Sequence, residues 1–332
     1  MNVRNAPLPT AADIDAAAAR IAGVAVRTPL VCSPALDERL GGRIFLKAET
    51  LQRMGAFKFR GAYNKLASIP PERRAAGVVS YSSGNHAQGV AAAAKLLNMP
   101  AVMVMPKDAP AMKRARTEAL GATIVPYDRD TDSREEIGRR IARERGATLV
   151  PPYDDPFVIA GQGTAGLEIM QDLAALDLKP DMVLAGASGG GLCAGLALAV
   201  KARSPGTQIF TCEPEGFDDF ARSFRSGRHE KNARSSGSIC DALMAPTPGE
   251  LTFAILQEAG ARGLAASDQE VARAIAFAFH ELKLVVEPGG AIALACLLAG
   301  RIDVRNRIAV AVLSGGNIDA ALFARLIETP FN

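Results

Sequence analysis

Tryptophan is absent from this 332-residue chain, aromatic residues make up only 5% of it, and only three histidines occur. With so few aromatic side chains, the sequence offers no stacking platform for single-stranded nucleic acid. Lys plus Arg number 38 against 35 Asp plus Glu, and the excess is dispersed. A duplex-binding face needs a larger, clustered basic surplus, so nucleic acid is not an expected partner. The five cysteines (Cys32, Cys193, Cys212, Cys240, Cys296) lie far apart and form no Cys-x-x-Cys pair. With His86, His229 and His280 as the only imidazoles, neither a Cys/His zinc centre nor a disulfide framework is indicated. The first ten residues carry one Arg and two Pro but no apolar core, unlike a signal peptide, so a reducing, cytoplasmic setting is expected.

Long apolar runs are scarce too. The nineteen residues from Met182 to Val200 hold no charge and match a bilayer in length. Gly186, Ser188, Gly189, Gly190, Gly191 and Gly195 interrupt them, and a glycine triplet breaks a spanning helix. A buried strand, a glycine turn and a buried helix are expected there, with no membrane partner. What is present is ordinary globular composition, 48% apolar and 22% charged. The length exceeds what one core usually organises, so two lobes are expected.

The middle of the chain alternates short apolar runs with helical ones. Strands are expected at Val78–Tyr81, Ala101–Met105, Ala122–Val125 and Ala147–Val150, and helices at His86–Leu97, Ala111–Leu120 and Ser133–Arg145. That alternation indicates parallel βαβ units. Arg139, Arg140, Arg143 and Arg145 read as a solvated face, with Glu135 and Glu136 four residues before the first two. Further strands are expected at Met182–Ala185, Gln208–Cys212 and Ile308–Leu313, and a helix at Leu192–Ala202. Residues Gly216–Met244 read as polar surface loops around short helices, after which helices are expected to dominate up to Ile308.

Three glycine-bearing turns follow apolar strands: Ser82-Ser83-Gly84-Asn85, Ser188-Gly189-Gly190-Gly191 and Ser314-Gly315-Gly316-Asn317. In a parallel sheet such turns lie at the carboxyl ends of strands, where ligands bind. Glycine lets backbone amides approach an anion, and a following helix adds its positive end. Three such turns suggest a phosphorylated ligand held by neutral donors. Gly189-Gly190-Gly191-Leu192-Cys193-Ala194 also fits a dinucleotide fingerprint, with Glu213 at the right distance for a ribose hydroxyl. A nicotinamide enzyme, or tight helix–strand packing with no ligand, therefore stays open from this motif. Lys58 bears on the choice. It sits between Phe57 and Phe59, behind the Gly55-Ala56 turn and before a helical run. Desolvating neighbours lower an amine's pKa, as an imine-forming lysine requires.

The segment Gly55–Ala62, Ser82-Ser83-Gly84-Asn85-His86, the Ser188–Leu192 turn and Ser314-Gly315-Gly316-Asn317 together resemble the serine/threonine dehydratase and serine racemase family. The likeness runs in order from Arg27-Thr28-Pro29-Leu30 to Asn317. It implies an α/β, fold-type II enzyme dependent on pyridoxal phosphate, similar to the tryptophan synthase β chain. Two lobes are then expected, each with a mostly parallel open sheet flanked by helices. The large lobe would take residues 1–80 and 153–332, and a small mobile lobe residues 81–152.

The resemblance also implies roles. Lys58 would carry the cofactor and move the substrate α-proton, Phe57 would pack beside the ring, and Asn85 would bond its 3′-oxygen. Ser188, Gly189, Gly190, Gly191 and Leu192 would line the phosphate, and Ser314 would meet the pyridine nitrogen. Ser82, Ser83, Gly84, Asn85 and His86 would grip the substrate carboxylate, with Ser83 as the hydroxyl on the face opposite Lys58. Gln162-Gly163-Thr164 resembles the stretch that borders the site. A neutral Ser at the ring nitrogen, in place of a carboxylate, suits a short-lived carbanion that expels a β-hydroxyl.

In the acidic loop, spacing alone favours a solvated segment. The racemase-like branch implies Mg²⁺ or Ca²⁺ on Glu213, the Phe217 carbonyl and Asp219, a hard-cation set. The expected reaction is elimination of water from L-threonine or L-serine, giving a 2-oxo acid and ammonia, by a homodimer. A 3-hydroxyaspartate or phenylserine substrate, or an amino-acid racemase, stays open. Two positions depart from the family: Ser188 stands where Gly is usual, and Met54 where Thr is common, which weakens transfer of a nucleotide effector site. His86 also has a plain reading as a helix-start packing residue, as do His229 and His280.

Overall fold

The computed structural model describes residues 8–109 and 111–331, so most of the leading segment read above lies outside the described residues. In chain order the first half runs α1 (Ala11–Ile21), β1 (Leu30–Cys32), α2 (Pro34–Leu40), β2 (Arg43–Ala48), α3 (Lys58–Ala67), β3 (Val78–Tyr81), α4 (Asn85–Leu96), β4 (Ala101–Pro106), α5 (Ala111–Ala119), β5 (Thr123–Tyr127), α6 (Arg134–Arg145) and β6 (Thr148–Leu149). It continues with α7 (Pro156–Ala174), β7 (Met182–Gly186), α8 (Gly191–Lys201), β8 (Gln208–Pro214), α9 (Asp219–Ser226), α10 (Glu250–Glu258), β9 (Arg262–Ala266), α11 (Asp268–His280), α12 (Pro288–Leu298), β10 (Ile308–Leu313) and α13 (Ala320–Leu326).

Among the described residues, ten strands form two sheets. A six-stranded sheet has the order β1-β2-β10-β7-β8-β9, parallel except for β1, and a four-stranded parallel sheet has the order β5-β4-β3-β6. Alternation along the strands sorts side chains to the two faces of the large sheet. Ile44, Leu46, Met182, Leu184, Ala309 and Ala311 join the α11–α12 core, while Phe45, Val183, Ala185, Val310 and Val312 join that of α7, α8 and α10. The small sheet turns Val79, Tyr81, Val102 and Val104 toward α6, and Val78, Met103 and Met105 toward α3 and α4. Burial on both faces explains why the central strands read as continuous apolar runs.

Two expectations need correction. The stretch before Ile308 is not all helical, because Arg262–Ala266 pairs with β8 as an edge strand. The arginine-rich face is exposed, but its pairing differs from the expected four-residue spacing: Arg140 pairs with Glu144 at 3.6 Å, and Glu135 pairs with Arg134, outside that set, at 2.9 Å. Among the described residues no helix is long and apolar enough to cross a membrane.

Candidate active site

The chain reaches Lys58 through an unusual turn. Met54 and Gly55 are both left-handed, at φ 61° and 69°, and α3 begins at Lys58 itself. The turn is stitched to the end of β10: Phe57 N–H donates to the Ser314 carbonyl (3.1 Å) and Gly316 N–H to the Gly55 carbonyl (2.8 Å). Lys58 Nζ donates to the Pro152 carbonyl at 2.7 Å and stands 5.1 Å from the centre of the Phe57 ring. Burial lowers its pKa from 10.5 to about 8. Only one of its two aromatic neighbours contributes. Phe59 is fully buried and stacks on Tyr63 in the core under α4, away from the amine.

Behind the lysine, α3 is seated on α7 where Gly61 and Gly161 meet; a Cβ on Gly161 would lie 2.6 Å from the Gly61 Cα. Gln162 and Thr164 sit at this seam. Gln162 Oε1 accepts the Gly61 N–H (3.2 Å), its Nε2 is buried without a partner, and Thr164 Oγ1 accepts from Arg60 (3.2 Å). Arg60 is buried between Glu49 and Glu168, and Lys47 joins the same cluster through Glu168 (2.7 Å).

Three other helix starts or turns converge with this one. Gly84 precedes α4 with no side-chain cap, leaving the first amides of α4 open, while Ser82 Oγ accepts the Gly84 N–H (3.3 Å) and Ser83 is half-buried beside it. Asn85 Nδ2 donates to Glu287 Oε1 (2.6 Å), and Asn85 Oδ1 accepts from Asn317 Nδ2 (2.9 Å). His86 is buried with Nε2 3.2 Å from the Val150 carbonyl, and burial lowers its pKa to about 3, so it stays neutral. Gly190, at φ 88°, precedes α8, whose start also has no side-chain cap. A Cβ on Gly190 would lie 2.4 Å from the Phe220 ring, and one on Gly189 would lie 2.2 Å from Tyr153. Ser188 Oγ accepts the Ala245 N–H (3.2 Å), which leaves its own proton free to donate. Leu192 points into the core, and Ser314 is nearly buried. A cleft of about 810 Å³ opens beside Pro152 and Tyr153, between Tyr81 and the segment Thr247–Glu250.

Glu213 does not face a ligand crevice. Its two oxygens accept the Phe220 and Ala221 N–H groups (2.8 and 2.9 Å), which turns the buried carboxylate onto the start of α9 rather than toward the glycine turn. Asp219 Oδ1 accepts from Asn232 (2.6 Å), while its buried Oδ2 has no partner. Burial, then the charge of Asp219, pushes the Glu213 carboxyl well up; burial pushes Asp219 up to about 7. Phe217 is buried between them in sequence, and among the described residues no cluster of three or more His, Cys, Asp or Glu side chains could hold a metal.

A partly buried amine of lowered pKa, facing uncapped helix starts on glycine turns at strand ends, defines an α/β enzyme built for a phosphorylated carbonyl cofactor. The donor set suits one: α8 starts without a side-chain cap, which leaves its first amides for a phosphate, on a turn where Tyr153 and Phe220 leave no room for a Cβ on Gly189 or Gly190. The family model for pyridoxal-phosphate dependent enzymes matches residues 21–315, and the chain belongs to that family. It is 43% identical to the L-threo-3-hydroxyaspartate ammonia-lyase of Saccharomyces cerevisiae over 97% of both chains. It is 40% identical to the L-threonine ammonia-lyase of Thermotoga maritima, over 96% of this chain and 78% of that one. The solved structure of maize serine racemase superposes with a TM-score of 0.90 at 35% identity, over 97% of this chain and 98% of that one. The fold-type II reading holds, and the nicotinamide reading of the Gly189 motif is overturned.

Sequence reasoning gave no role to Glu287, Asn317, Tyr153 or the Pro152 carbonyl. The one available signal was Glu287 itself, a lone acid between the apolar run Leu284-Val285-Val286 and Pro288.

Proposed function

We propose that this protein is an ammonia-lyase that eliminates water from an L-β-hydroxy amino acid, with net release of a 2-oxo acid and ammonia. The observation that carries the reading is Lys58: an amine with pKa about 8, held by Pro152 at the meeting point of the glycine turns. When bound, pyridoxal phosphate supplies the electron sink that weakens the substrate Cα–H bond. Gly189, Gly190, Gly191 and the Leu192 amide would hold its phosphate, with the free Ser188 hydroxyl proton as a further donor. Asn85, Ser314 and Phe57 would hold its ring.

Lys58 takes the α-proton. With a pKa near the working pH, a useful fraction of the amine is neutral, which an unburied lysine would not allow. The uncapped start of α4, with Ser82, Ser83 and Gly84, orients the substrate carboxylate and so presents the α-hydrogen to Nζ. His86, neutral, acts from behind as a packing residue. Residues 81–152 move as a small lobe over the site, and the cleft beside Tyr153 leaves room for that closure.

Three finer points belong to the same reading. Mg²⁺ or Ca²⁺ on Glu213, Asp219 and the Phe217 carbonyl is supported by the orphaned Asp219 Oδ2 and by two buried carboxyls that repel each other. Cytoplasmic residence is supported by five free cysteines. A homodimer is supported by the exposed apolar Val26 and Leu51, whose segments are joined through Gln52. The test is 2-oxo acid release from L-threonine, L-serine and L-threo-3-hydroxyaspartate by the purified, cofactor-loaded protein. Turnover of at least one is expected; binding of pyridoxal phosphate without any 2-oxo acid would overturn the assignment.

A further inference from the structure

Glu287 immediately precedes α12 yet does not cap it; no side-chain hydrogen bond closes that helix start. The carboxylate turns the other way, into the active site. Glu287 is only 8% exposed, and its Oε1 accepts the Asn85 amide at 2.6 Å. The backbone fixes this placement: Glu287 N–H donates to the Gly315 carbonyl at 3.0 Å. Gly315 leaves room for the carboxylate, since a Cβ there would lie 2.2 Å from Oε1 and displace it.

The other end of the Asn85 amide is also held. Asn317 Nδ2 donates to Asn85 Oδ1 (2.9 Å) and to the Met54 carbonyl (2.6 Å), which ties it to the lysine-bearing turn. An ionised carboxylate only accepts hydrogen bonds, and Asn317 Nδ2 only donates them. Asn85 can therefore satisfy both neighbours in one orientation of its amide and not in the flipped one. That orientation uses one of its two N–H groups and leaves the second available.

We propose that Glu287 is a positioning residue of this site: by accepting one N–H of Asn85 it locks the amide so that the second N–H is presented to the ring oxygen of the cofactor. This rests on the reading that pyridoxal phosphate lies against Asn85. Glu287 is also the acid of this group whose charge responds near neutrality. Burial raises its carboxyl to about 7, Asn85 opposes the rise, and the other charged groups facing it are Asp241 and Lys113. Those two pair with each other at 3.0 Å.

The test uses the holoenzyme and reads the absorption bands of the bound cofactor, whose balance follows the hydrogen bonding of the ring oxygen. Glu287→Leu removes the acceptor and should change the ratio of the bands by between about threefold and tenfold, the effect of one lost hydrogen bond on an equilibrium. Glu287→Gln keeps an acceptor oxygen and should restore a near wild-type ratio, while removing any step in that ratio as pH passes about 7. Asn85→Ala should shift the ratio in the same direction as Glu287→Leu, and the double variant should add nothing further, because both act through one amide. If Glu287→Leu fails to fold, Glu287→Asp withdraws the acceptor by one methylene and should give the same direction of change. An unchanged ratio in the Leu or Asp variant, or additive shifts with Asn85→Ala, would overturn the proposal. Absence of any cofactor band in the wild-type protein would instead overturn the functional reading beneath it.

Discussion

Arg60 and Glu49 form a two-pronged, fully buried ion pair behind the lysine-bearing turn, Nε to Oε2 and Nη2 to Oε1, each at 2.8 Å. Arg60 lies on α3 two residues after Lys58, and Glu49 lies just beyond β2. The pair thus ties the start of α3 to the large sheet. A guanidinium suits this place because its planar fork answers Glu49 and Glu168 together, which a lysine could not do.

Removing one member of such a pair leaves the other buried and uncompensated, at a cost of about 3–5 kcal/mol. Glu168 offsets part of this, so Glu49→Gln is expected to cost about 3 kcal/mol by urea denaturation, with a fall in kcat. Asp303→Asn breaks an exposed pair with Arg305 and should leave Tm unchanged. Equal effects of the two substitutions would refute the anchoring role.

Gly190→Ala asks whether the α8 turn needs glycine. Its φ of 88° and the 2.4 Å approach of the Phe220 ring combine backbone strain with overpacking. A loss of about 2–4 kcal/mol is expected, with weaker retention of pyridoxal phosphate measured by dialysis. Gly121 has the same φ but open space around it. Gly121→Ala should cost about 1–2 kcal/mol and leave cofactor retention intact.

These positions differ in how far the chain itself discloses them. The strands of the small sheet are legible because each is a short run bounded by punctuation, such as Pro106 at the end of β4 or Gly121 before β5. The strand β2 is less so, since Lys47 sits within it; Glu168 and the Thr28 carbonyl, both distant in sequence, make that burial tolerable. The edge strand β9 is masked by Gly263 and two alanines, a composition without strand preference. The glycine turns are readable because their spacing is local. Glu287 is not, because its meaning comes from Asn85, 202 residues away.

His86 gives a pH signature of stability. Burial, reinforced by the Lys58 charge, lowers its pKa to about 3 despite the Val150 carbonyl, whereas an exposed histidine titrates at about 6.5. Between those values the unfolded chain binds one more proton than the native one. The stabilisation is therefore complete above pH 6.5 and is lost as pH falls, by about 1.4 kcal/mol per pH unit. Urea midpoints measured between pH 7.5 and 5 should fall more steeply for the wild type than for His86→Gln. Parallel curves would exclude the histidine as the source.

Cation removal probes the acidic loop. If Mg²⁺ or Ca²⁺ relieves the repulsion between Glu213 and Asp219, chelator should lower Tm, and adding either ion back should restore it through preferential binding to the native state. Asp219→Asn removes one of the two charges and should be insensitive to chelator. A wild-type protein that shows neither a chelator effect nor metal by elemental analysis would leave the two carboxyls as a protonated, purely structural pair.

Ser83 separates elimination from inversion. Racemisation requires groups that exchange a proton on both faces of the substrate α-carbon, and Lys58, tethered at the start of α3, serves one. Elimination needs α-proton removal by Lys58 and protonation of the departing hydroxyl, with no second-face base. Ser83, half-buried at the start of α4, is the hydroxyl that the family resemblance assigns to the opposite face. A serine is a weak base unless its neighbours tune it. The neighbouring His86 has its Nε2 engaged with Val150 and its Nδ1 buried without a partner. Elimination from the L-substrate is therefore expected to dominate in the wild type. Ser83→Ala should abolish any inversion and any use of D-serine while retaining part of the L-elimination rate. Chiral chromatography of unreacted serine alongside 2-oxo acid release measures both rates in one reaction. Inversion of L-serine much faster than 2-oxo acid formation in the wild type would make the protein a racemase, with Ser83 as its second catalytic group.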